Sequence, residues 1–226
     1  HGSEEELLMD DRRLAAIKCA VFAASLLPAA HLGWRAASDA LGANPVETLT
    51  HTSGDWTFNF LLLTLAITPL RAITGRHWLI RLRRMLGLFA FFYGSLHFLS
   101  FAGFDHAFDF GEIMRDVAKR PFVAAGFTAF VLMIPLAATS FNAAIRWLGG
   151  RRWQELHRSV YAVGIIACVH YFWLVKITAI QWPLLYAAIL ALLLGWRARE
   201  RMRKHQPPGA PRATLPAVQA IRFIRR

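Results

Sequence analysis

Long apolar stretches separated by short polar segments dominate this chain. Each stretch approaches the roughly 20 residues that a helix needs to cross the ~30 Å hydrocarbon core of a bilayer. The pattern therefore predicts an all-α membrane protein, a six-transmembrane-helix bundle, rather than a soluble domain. The six predicted spans cover residues 14–34, 55–74, 85–104, 121–141, 157–176 and 182–198.

Four prolines refine the ends of these helices. Pro121 and Pro183 suit a first helical turn, where the missing N–H costs nothing. Pro69 and Pro135 lie inside apolar runs. Because proline removes a backbone hydrogen bond and clashes with the preceding turn, these two are expected to kink or end their helices.

The composition agrees with burial in lipid. Of the 226 residues, 56% are hydrophobic and 18% charged, with a net charge of +12. An average soluble domain is about 45–50% apolar even when glycine is counted. The basic residues lie between apolar runs and not on one soluble face, which argues against nucleic-acid binding. Six spans also leave no room for a soluble dinucleotide-binding domain.

The distribution of arginine predicts the orientation in the membrane. The connections after spans two and four and the C-terminal tail are rich in arginine, whereas the connection after span three mixes acidic and basic residues. Under the positive-inside rule, both termini and both arginine-rich connections are cytoplasmic. The arginines of the first of these connections are Arg71, Arg76, Arg81, Arg83 and Arg84.

The sequence divides into three parts. Residues 1–13 are interpreted as an expression scar followed by a cytoplasmic N-terminal segment. Residues 14–198 form the membrane domain, and residues 199–226 form a basic cytoplasmic tail. The last stretch of the tail, 217–226, could lie on anionic lipid because its basic residues attract the headgroups.

Histidines are the ionisable residues that stand out in the predicted spans. His97 lies in span three, His170 in span five and His157 at the start of span five, while His31 ends span one and His51 precedes span two. A charge at membrane depth costs at least about 2.5–3.5 kcal/mol, so an ionisable side chain there indicates a function. A single membrane histidine is as often a helix-to-helix hydrogen bonder as a ligand, but two at matching depth are harder to explain in that way.

His97 and His170 are predicted to lie at a similar depth in the outer half of the membrane. Both helices run outward, and His97 lies as far beyond Arg84 as His170 lies beyond His157, a rise of roughly 20 Å. Two neutral imidazoles that face each other suit a six-coordinate haem iron with no open site for oxygen. A straight helix would turn His157 away from that gap unless Gly164 allows a bend.

The residues around His97 fit either a haem or close helix packing. Gly87, Ala90 and Gly94 form a stripe of small side chains, which leaves room for a flat macrocycle or for a neighbouring helix. Both interpretations stay open at this point. Aromatic residues that could form apolar walls flank the stripe: Phe89, Phe91, Phe92, Tyr93, Phe98 and Phe101.

Several motifs, in order along residues 14–198, resemble those of the MsrQ (YedZ) family. The resemblance implies a b-type haem protein with a ferric reductase-like transmembrane domain. The segments that carry it are GGRRWQELHRSVY at 149–161, CVHYFWLVK at 168–176, HTSGDW at 51–56, RRMLGL at 83–88 and LHF at 96–98.

The resemblance also implies a function. Members of the family pass electrons from the cytoplasmic side of the bacterial inner membrane to MsrP, a periplasmic molybdopterin enzyme that reduces methionine sulfoxide in proteins. Quinol, or reduced flavin from a cytoplasmic NAD(P)H:flavin reductase, is the implied electron donor. The chain is thus expected to be an electron-transfer subunit that supports protein repair, and not a stand-alone catalyst.

Site residues follow from the resemblance position by position. His97, His157 and His170 match haem-associated histidines, with His97 and His170 as the axial ligands of the iron. Arg83 and Arg84 match basic residues on the side that receives FMN or quinone. Relatives with two haems carry paired histidines on both spans three and five. This chain has only His97 on span three, so one haem b is expected and a second stays open.

Two other functions compete with electron transfer. One is a proton-coupled transporter that uses the histidines as a relay. The other is a cofactor-free membrane anchor or assembly subunit, in which the histidines only join helices. The lack of an internal repeat and of membrane carboxylates argues against the transporter. A visible haem spectrum would separate the electron-transfer subunit from both.

Overall fold

The computed structural model describes residues 2–175 and 177–205, and side chains for 11–175 and 178–203. Within these ranges the chain forms nine α-helices and no strand, which confirms the all-helical class. The helices are α1 (Gly2–Ala37), α2 (Pro45–Thr74), α3 (Arg83–Ser100), α4 (Phe110–Lys119), α5 (Pro121–Ala138), α6 (Asn142–Leu148), α7 (Gly150–His157), α8 (Val160–Leu174) and α9 (Gln181–His205).

Four helical stretches of the described residues are long and apolar enough to cross a membrane: Asp11–Ala37, Pro45–Thr74, His77–Asp105 and Pro121–Ala138. Large apolar side chains on these helices are exposed, as on the lipid-facing surfaces of a membrane protein. The protein is therefore an all-helical, multi-pass membrane protein. The 15-residue α8 and the 25-residue α9 coincide with the fifth and sixth predicted spans, and the count of six stays a prediction.

α2 begins ahead of its predicted start at residue 55, because a cap at Asn44 starts the helix. The side-chain oxygen of Asn44 accepts a hydrogen bond from the backbone N–H of Glu47, and its amide donates to the Glu47 carboxylate over 2.8 Å. Pro45 fits the first turn. His51 was expected to precede the second span, and this was wrong: it lies inside α2.

Two prolines lie at helix starts as expected, and two lie inside helices. Pro121 is the first residue of α5, and Pro183 lies in the first turn of α9. Pro135 lies one turn before the end of α5. Pro69, in contrast, does not end α2, which continues until Gly75 adopts the left-handed conformation (φ 69°).

The two ends of the membrane domain are also helical beyond their predicted limits. α1 begins at Gly2 and takes up the predicted N-terminal segment. α9 passes residue 198 and continues to His205, so the predicted basic tail starts within a helix. The rest of that tail, 206–226, and the first residue lie outside the described residues.

Three short helices, α4, α6 and α7, occupy stretches where the sequence predicted mainly connections. The side chain of Asp109 caps α4 by accepting a hydrogen bond from the backbone of Glu112 over 3.0 Å. His157 ends α7, and a turn at Arg158 and Ser159 separates it from α8. His157 therefore does not lie on the fifth membrane helix. The interruption of the predicted fifth span falls at this turn, and Gly164 lies inside α8.

The core consists of two helix pairs, because α2 packs along α3 and α5 packs along α8. α3 also contacts α5, which brings the pairs together. Between α2 and α3, a methyl group on Gly87 would meet Thr64 at 3.7 Å, and Ala90 is 1% exposed. At these two positions the small side chains therefore serve helix packing.

Tyr93 joins α3 to α1. Its hydroxyl accepts a hydrogen bond from the N–H of Ala29 (3.0 Å) and donates one to the carbonyl of Ser25 (2.7 Å). These groups lie one turn apart on α1, on either side of Pro28. A proline inside a helix disturbs the ladder of backbone hydrogen bonds, and an inserted side chain can satisfy the groups that are freed.

We expect Tyr93→Phe to lower the free energy of unfolding by about 1–3 kcal/mol, because it deprives the backbone groups of Ala29 and Ser25 of their hydroxyl partner. Thermal unfolding in detergent, compared with the wild-type protein, measures this loss. An unchanged unfolding temperature would show that the hydroxyl contributes nothing to the join between α1 and α3.

Candidate cofactor site

A cavity of about 550 Å³ lies between the two helix pairs. Its walls come from α2, α3, α5 and α8 and are mostly apolar. A cavity of this size with a few polar groups is typical of sites for small molecules and cofactors. Apolar wall residues are Phe58, Leu61, Phe98, Phe127, Phe130, Met133 and Val163, and polar residues near one end are Asn44, Glu47, Asp105 and Arg120.

His97 on α3 and His170 on α8 both line this cavity. Their ring centroids are 6.1 Å apart, and the ring planes make an angle of 78°. A metal ion bound by two imidazoles lies about 2 Å from each nitrogen, which puts the two ring centroids about 6 Å apart. The structure thus brings together the two histidines that the sequence paired by depth, at a separation that suits a shared metal.

Hydrogen bonds to the backbone leave the same nitrogen free on each ring. Nδ1 of His97 lies 2.8 Å from the carbonyl oxygen of Thr50, and Nδ1 of His170 lies 2.6 Å from that of Phe122. Because a carbonyl only accepts, each Nδ1 carries a proton and donates. Nε2 is then the nitrogen available to a metal, in the arrangement that metal-binding histidines usually show.

The donor set suits a haem better than a bare metal ion. Among the described residues, no group of three or more His, Cys, Asp and Glu side chains could hold an ion. Two imidazoles fill only the axial positions of a six-coordinate iron, and a porphyrin supplies the other four nitrogens. Gly94, which lines the cavity next to both helix pairs, adds no side chain to the space.

Only part of the predicted aromatic wall faces this cavity. Phe98 and Phe101 line it, as expected. Phe89 and Tyr93 instead stack on Phe60 of α2, with ring centroids 5.5 and 5.3 Å apart. The sequence cannot distinguish these two faces of α3, because both carry aromatic residues.

The remaining predicted site residues form a separate group at the other end of α3. The ring of His157 stacks on Trp153 at 3.9 Å and donates through Nδ1 to the carbonyl of Trp153 (3.1 Å). The positive charges of Arg83 and Arg84 repel a proton on His157. Arg84 also donates a hydrogen bond to the side chain of Asn142 over 2.7 Å. His157 does not line the cavity of His97, so its predicted haem role stays a prediction.

The other two histidines of the sequence analysis differ in their positions. His51 lines the cavity from α2, and its side chain is exposed. His31 lies near the end of α1, with its ring 6.4 Å from that of Trp34, and is not part of the cavity wall. Asp55, in the HTSGDW segment, also lines the cavity.

The sequence did not indicate four groups that contact the two histidines: Gly54, Gly126 and the backbone carbonyls of Thr50 and Phe122. A methyl group on Gly54 would come within 3.0 Å of the His97 ring, and one on Gly126 within 2.8 Å of the His170 ring. Gly54 stands in the HTSGDW segment, but its contact depends on the register between two helices. No local pattern in the sequence reports that register.

Comparison with known proteins places the chain in a family. The family described as a ferric reductase like transmembrane component matches residues 53–168, a range that contains His97 and ends two residues before His170. No solved structure matches the chain.

Curated relatives match over nearly their whole length. A protein-methionine-sulfoxide reductase heme-binding subunit MsrQ of Azospira oryzae is 56% identical over 95% of this chain and 92% of its own. The proteins of the same name from Bordetella pertussis (54% identical, 85% and 94% covered) and Xanthomonas campestris pv. campestris (47%, 87% and 96%) match similarly. At this identity and coverage, the chain belongs to the MsrQ family, with a membrane domain of the ferric reductase type.

Proposed function

We propose that this chain is the haem-binding membrane subunit of a methionine sulfoxide reductase system and carries electrons to its catalytic subunit. The observation that supports this most strongly is the pair of imidazoles, His97 and His170, whose centroids lie 6.1 Å apart in the wall of an apolar cavity. The names of the curated relatives supply the system to which the subunit belongs.

In this proposal His97 and His170 would hold the iron of one haem b through Nε2. The carbonyls of Thr50 and Phe122 keep the proton on Nδ1, which fixes the tautomer and makes Nε2 a stronger ligand. The bound haem supplies a one-electron couple with no open coordination position for oxygen. The phenylalanines of the cavity wall would provide an apolar environment for the macrocycle.

The proposed orientation has both termini in the cytoplasm and follows from the arginine-rich connections. The polar end of the cavity, with Glu47 and Arg120, then faces the periplasm. This end lies close to where the catalytic subunit, a periplasmic molybdopterin enzyme of the MsrP type, would accept electrons. The chain itself contributes no reaction chemistry on the sulfoxide in this account.

The proposed donor side is the group of Arg83, Arg84 and His157. α3 separates this group from His97 by a rise of about 20 Å. Arg83 is half-buried, and its positive charge interacts electrostatically with the buried Arg197 and with His157. A concentration of positive charge with few nearby carboxylates favours an anionic donor, such as the phosphate of FMN. Reduced FMN carries such a phosphate and is the donor that this charge favours, whereas quinol is uncharged and is the alternative proposed donor.

Electron transfer is tested by following the haem band of the purified protein. We expect quinol or reduced flavin to reduce the haem, and addition of the MsrP-type partner with a methionine sulfoxide protein to reoxidise it. With reduced FMN as the donor, the double variant Arg83→Gln, Arg84→Gln should slow the reduction by about tenfold or more, because the local field attracts the flavin phosphate. The haem spectrum itself should stay unchanged, since both arginines lie far from His97.

The matched control for the donor side is Arg76→Gln, which removes an exposed arginine from the same connection. Equal slowing in this variant would mean that only the overall charge matters. A haem that no donor reduces, or that the partner does not reoxidise, would contradict the electron-transfer function. The absence of haem from the purified protein would favour the transporter or anchor alternatives.

A further inference from the structure

The imidazole of His97 fits into a gap on the surface of α2, between the carbonyl of Thr50 and Gly54, which we call a notch. Its Nδ1–H donates to the carbonyl of Thr50, and Gly54 follows one helical turn later. A Cβ on Gly54 would lie 3.0 Å from Nδ1 and 3.2 Å from Cε1 of the ring. A contact of 3.0 Å is tighter than nine in ten real Cβ contacts, so a side chain at Gly54 would make the imidazole give way by a few tenths of an ångström.

His170 lies in a matching notch on α5. Its Nδ1–H donates to the carbonyl of Phe122, and Gly126 again follows one turn later. A Cβ on Gly126 would lie 2.8 Å from Cε1 and 2.9 Å from Nδ1 of the ring. This contact is shorter than the one at Gly54. A side chain at Gly126 would therefore displace the imidazole ring, and with it the Nε2 atom that faces the proposed iron.

Helix geometry explains why a glycine is needed one turn after the accepting carbonyl. Each Cα–Cβ bond tilts toward the start of the helix, so the side chain of residue i+4 lies above the carbonyl of residue i. That carbonyl already accepts the N–H of residue i+4 and has a second lone pair to offer. Without a Cβ at i+4, an imidazole ring has the space to come close and use that lone pair.

The same device appears on two separate helix pairs. Gly54 acts between α2 and α3, and Gly126 acts between α5 and α8. Among the glycines with described surroundings, these two alone would bring a Cβ within 4 Å of a histidine ring. A Cβ would also meet a close neighbour at Gly103 (Phe108, 3.0 Å) and Gly164 (Leu190, 3.2 Å). What sets Gly54 and Gly126 apart is that the neighbour is a histidine that donates to the carbonyl one turn earlier on the glycine's own helix.

We propose that Gly54 and Gly126 are positioning residues for the iron ligands, each admitting its histidine ring to the backbone carbonyl one turn earlier. The two notches fix the tautomer of each imidazole and hold the ring planes 78° apart. The inference rests on the proposed haem site and adds the residues that set its geometry.

Two measurements besides activity report this geometry. Nearly perpendicular axial imidazoles give a ferric low-spin haem a highly anisotropic EPR signal, whereas parallel planes give a more rhombic one. The hydrogen bond from Nδ1 to a carbonyl makes the imidazole a stronger donor, which stabilises ferric iron and lowers the midpoint potential.

The test compares Gly54→Ala and Gly126→Ala with the control Gly87→Ala in the purified haem-loaded protein. In the first two variants we expect a less anisotropic EPR signal, a higher midpoint potential and haem retention weaker by about 10–100-fold. The effect should be larger at Gly126, where the contact is closer. Gly87→Ala should match the wild-type protein in all three measurements.

Unchanged EPR signals and potentials in both variants would overturn the inference, as would an equal change in Gly87→Ala. If Gly126→Ala does not fold, as judged by gel filtration and thermal unfolding, Gly54→Ala decides, because its ring has less far to move. A wild-type protein without haem would contradict the proposed function itself. A wild-type haem with silent glycine variants would contradict this inference alone.

Discussion

Replacement of His97 or His170 by alanine is expected to abolish the b-type haem spectrum of the purified protein. Each substitution removes one of two axial nitrogens, and the ratio of haem to protein should fall by more than about tenfold, since even residues that only support a metal ligand cost about 10–100-fold. His51 also lines the cavity, but it lies on α2 with an exposed side chain and is not paired across the gap.

The matched control is His31→Ala, which removes a histidine from α1 that does not line the cavity. This variant should keep the full haem spectrum, so that general loss of a membrane histidine is separated from loss of a ligand. Intact haem in both His97→Ala and His170→Ala would refute the assignment of the ligands.

A larger side chain in the cavity should prevent haem binding while both histidines remain in place. Ala167 lies on α8 and lines the cavity one turn before His170. An indole at this position would occupy the space that the macrocycle needs. We therefore expect Ala167→Trp to lower the haem content of the purified protein by about tenfold or more. An extra side chain in a packed interior costs only about 1–3 kcal/mol, so the protein should still fold.

Ala162→Trp on the same helix provides the comparison. Ala162 is exposed and does not line the cavity, so its replacement should leave the haem content unchanged. Haem content is measured from the visible spectrum per mole of protein, with gel filtration as a check on folding. Full haem in Ala167→Trp would mean that the macrocycle binds elsewhere.

The meeting of His97 and His170 could be expected from the sequence for a simple reason. The rise of an α-helix is constant, so equal distances from two membrane boundaries give equal depths. The count that placed His170 began at His157, however, and it assumed one continuous helix between them. A turn at Arg158 and Ser159 divides it, and the sequence there gives no strong break such as proline.

The sequence did not reveal which face of each helix meets which neighbour. Gly87 faces Thr64 of α2 and does not line the cavity, whereas Gly94 on the same helix does line it. Gly54 and Gly126 contact histidines that lie more than forty residues away along the chain. Such contacts depend on the rotation and register of packed helices, which a single sequence does not encode locally.

Helix ends were the other weak point of the sequence analysis. The cap at Asn44 lengthens α2 into a stretch that hydropathy alone excludes, and it moves His51 into the helix. Hydropathy did not predict α4, because its charged residues outweigh its few apolar ones, although its apolar side chains share one face. Hydropathy reports lipid contact, whereas these helices depend on caps and on packing at the membrane surface.

An experimental density map of the purified protein in a lipid nanodisc tests the central claim most directly. The map should show one porphyrin between α3 and α8, with Nε2 of His97 and Nε2 of His170 on opposite faces of its iron. Two imidazoles that turn away from each other, with no porphyrin in the space between them, would contradict the account.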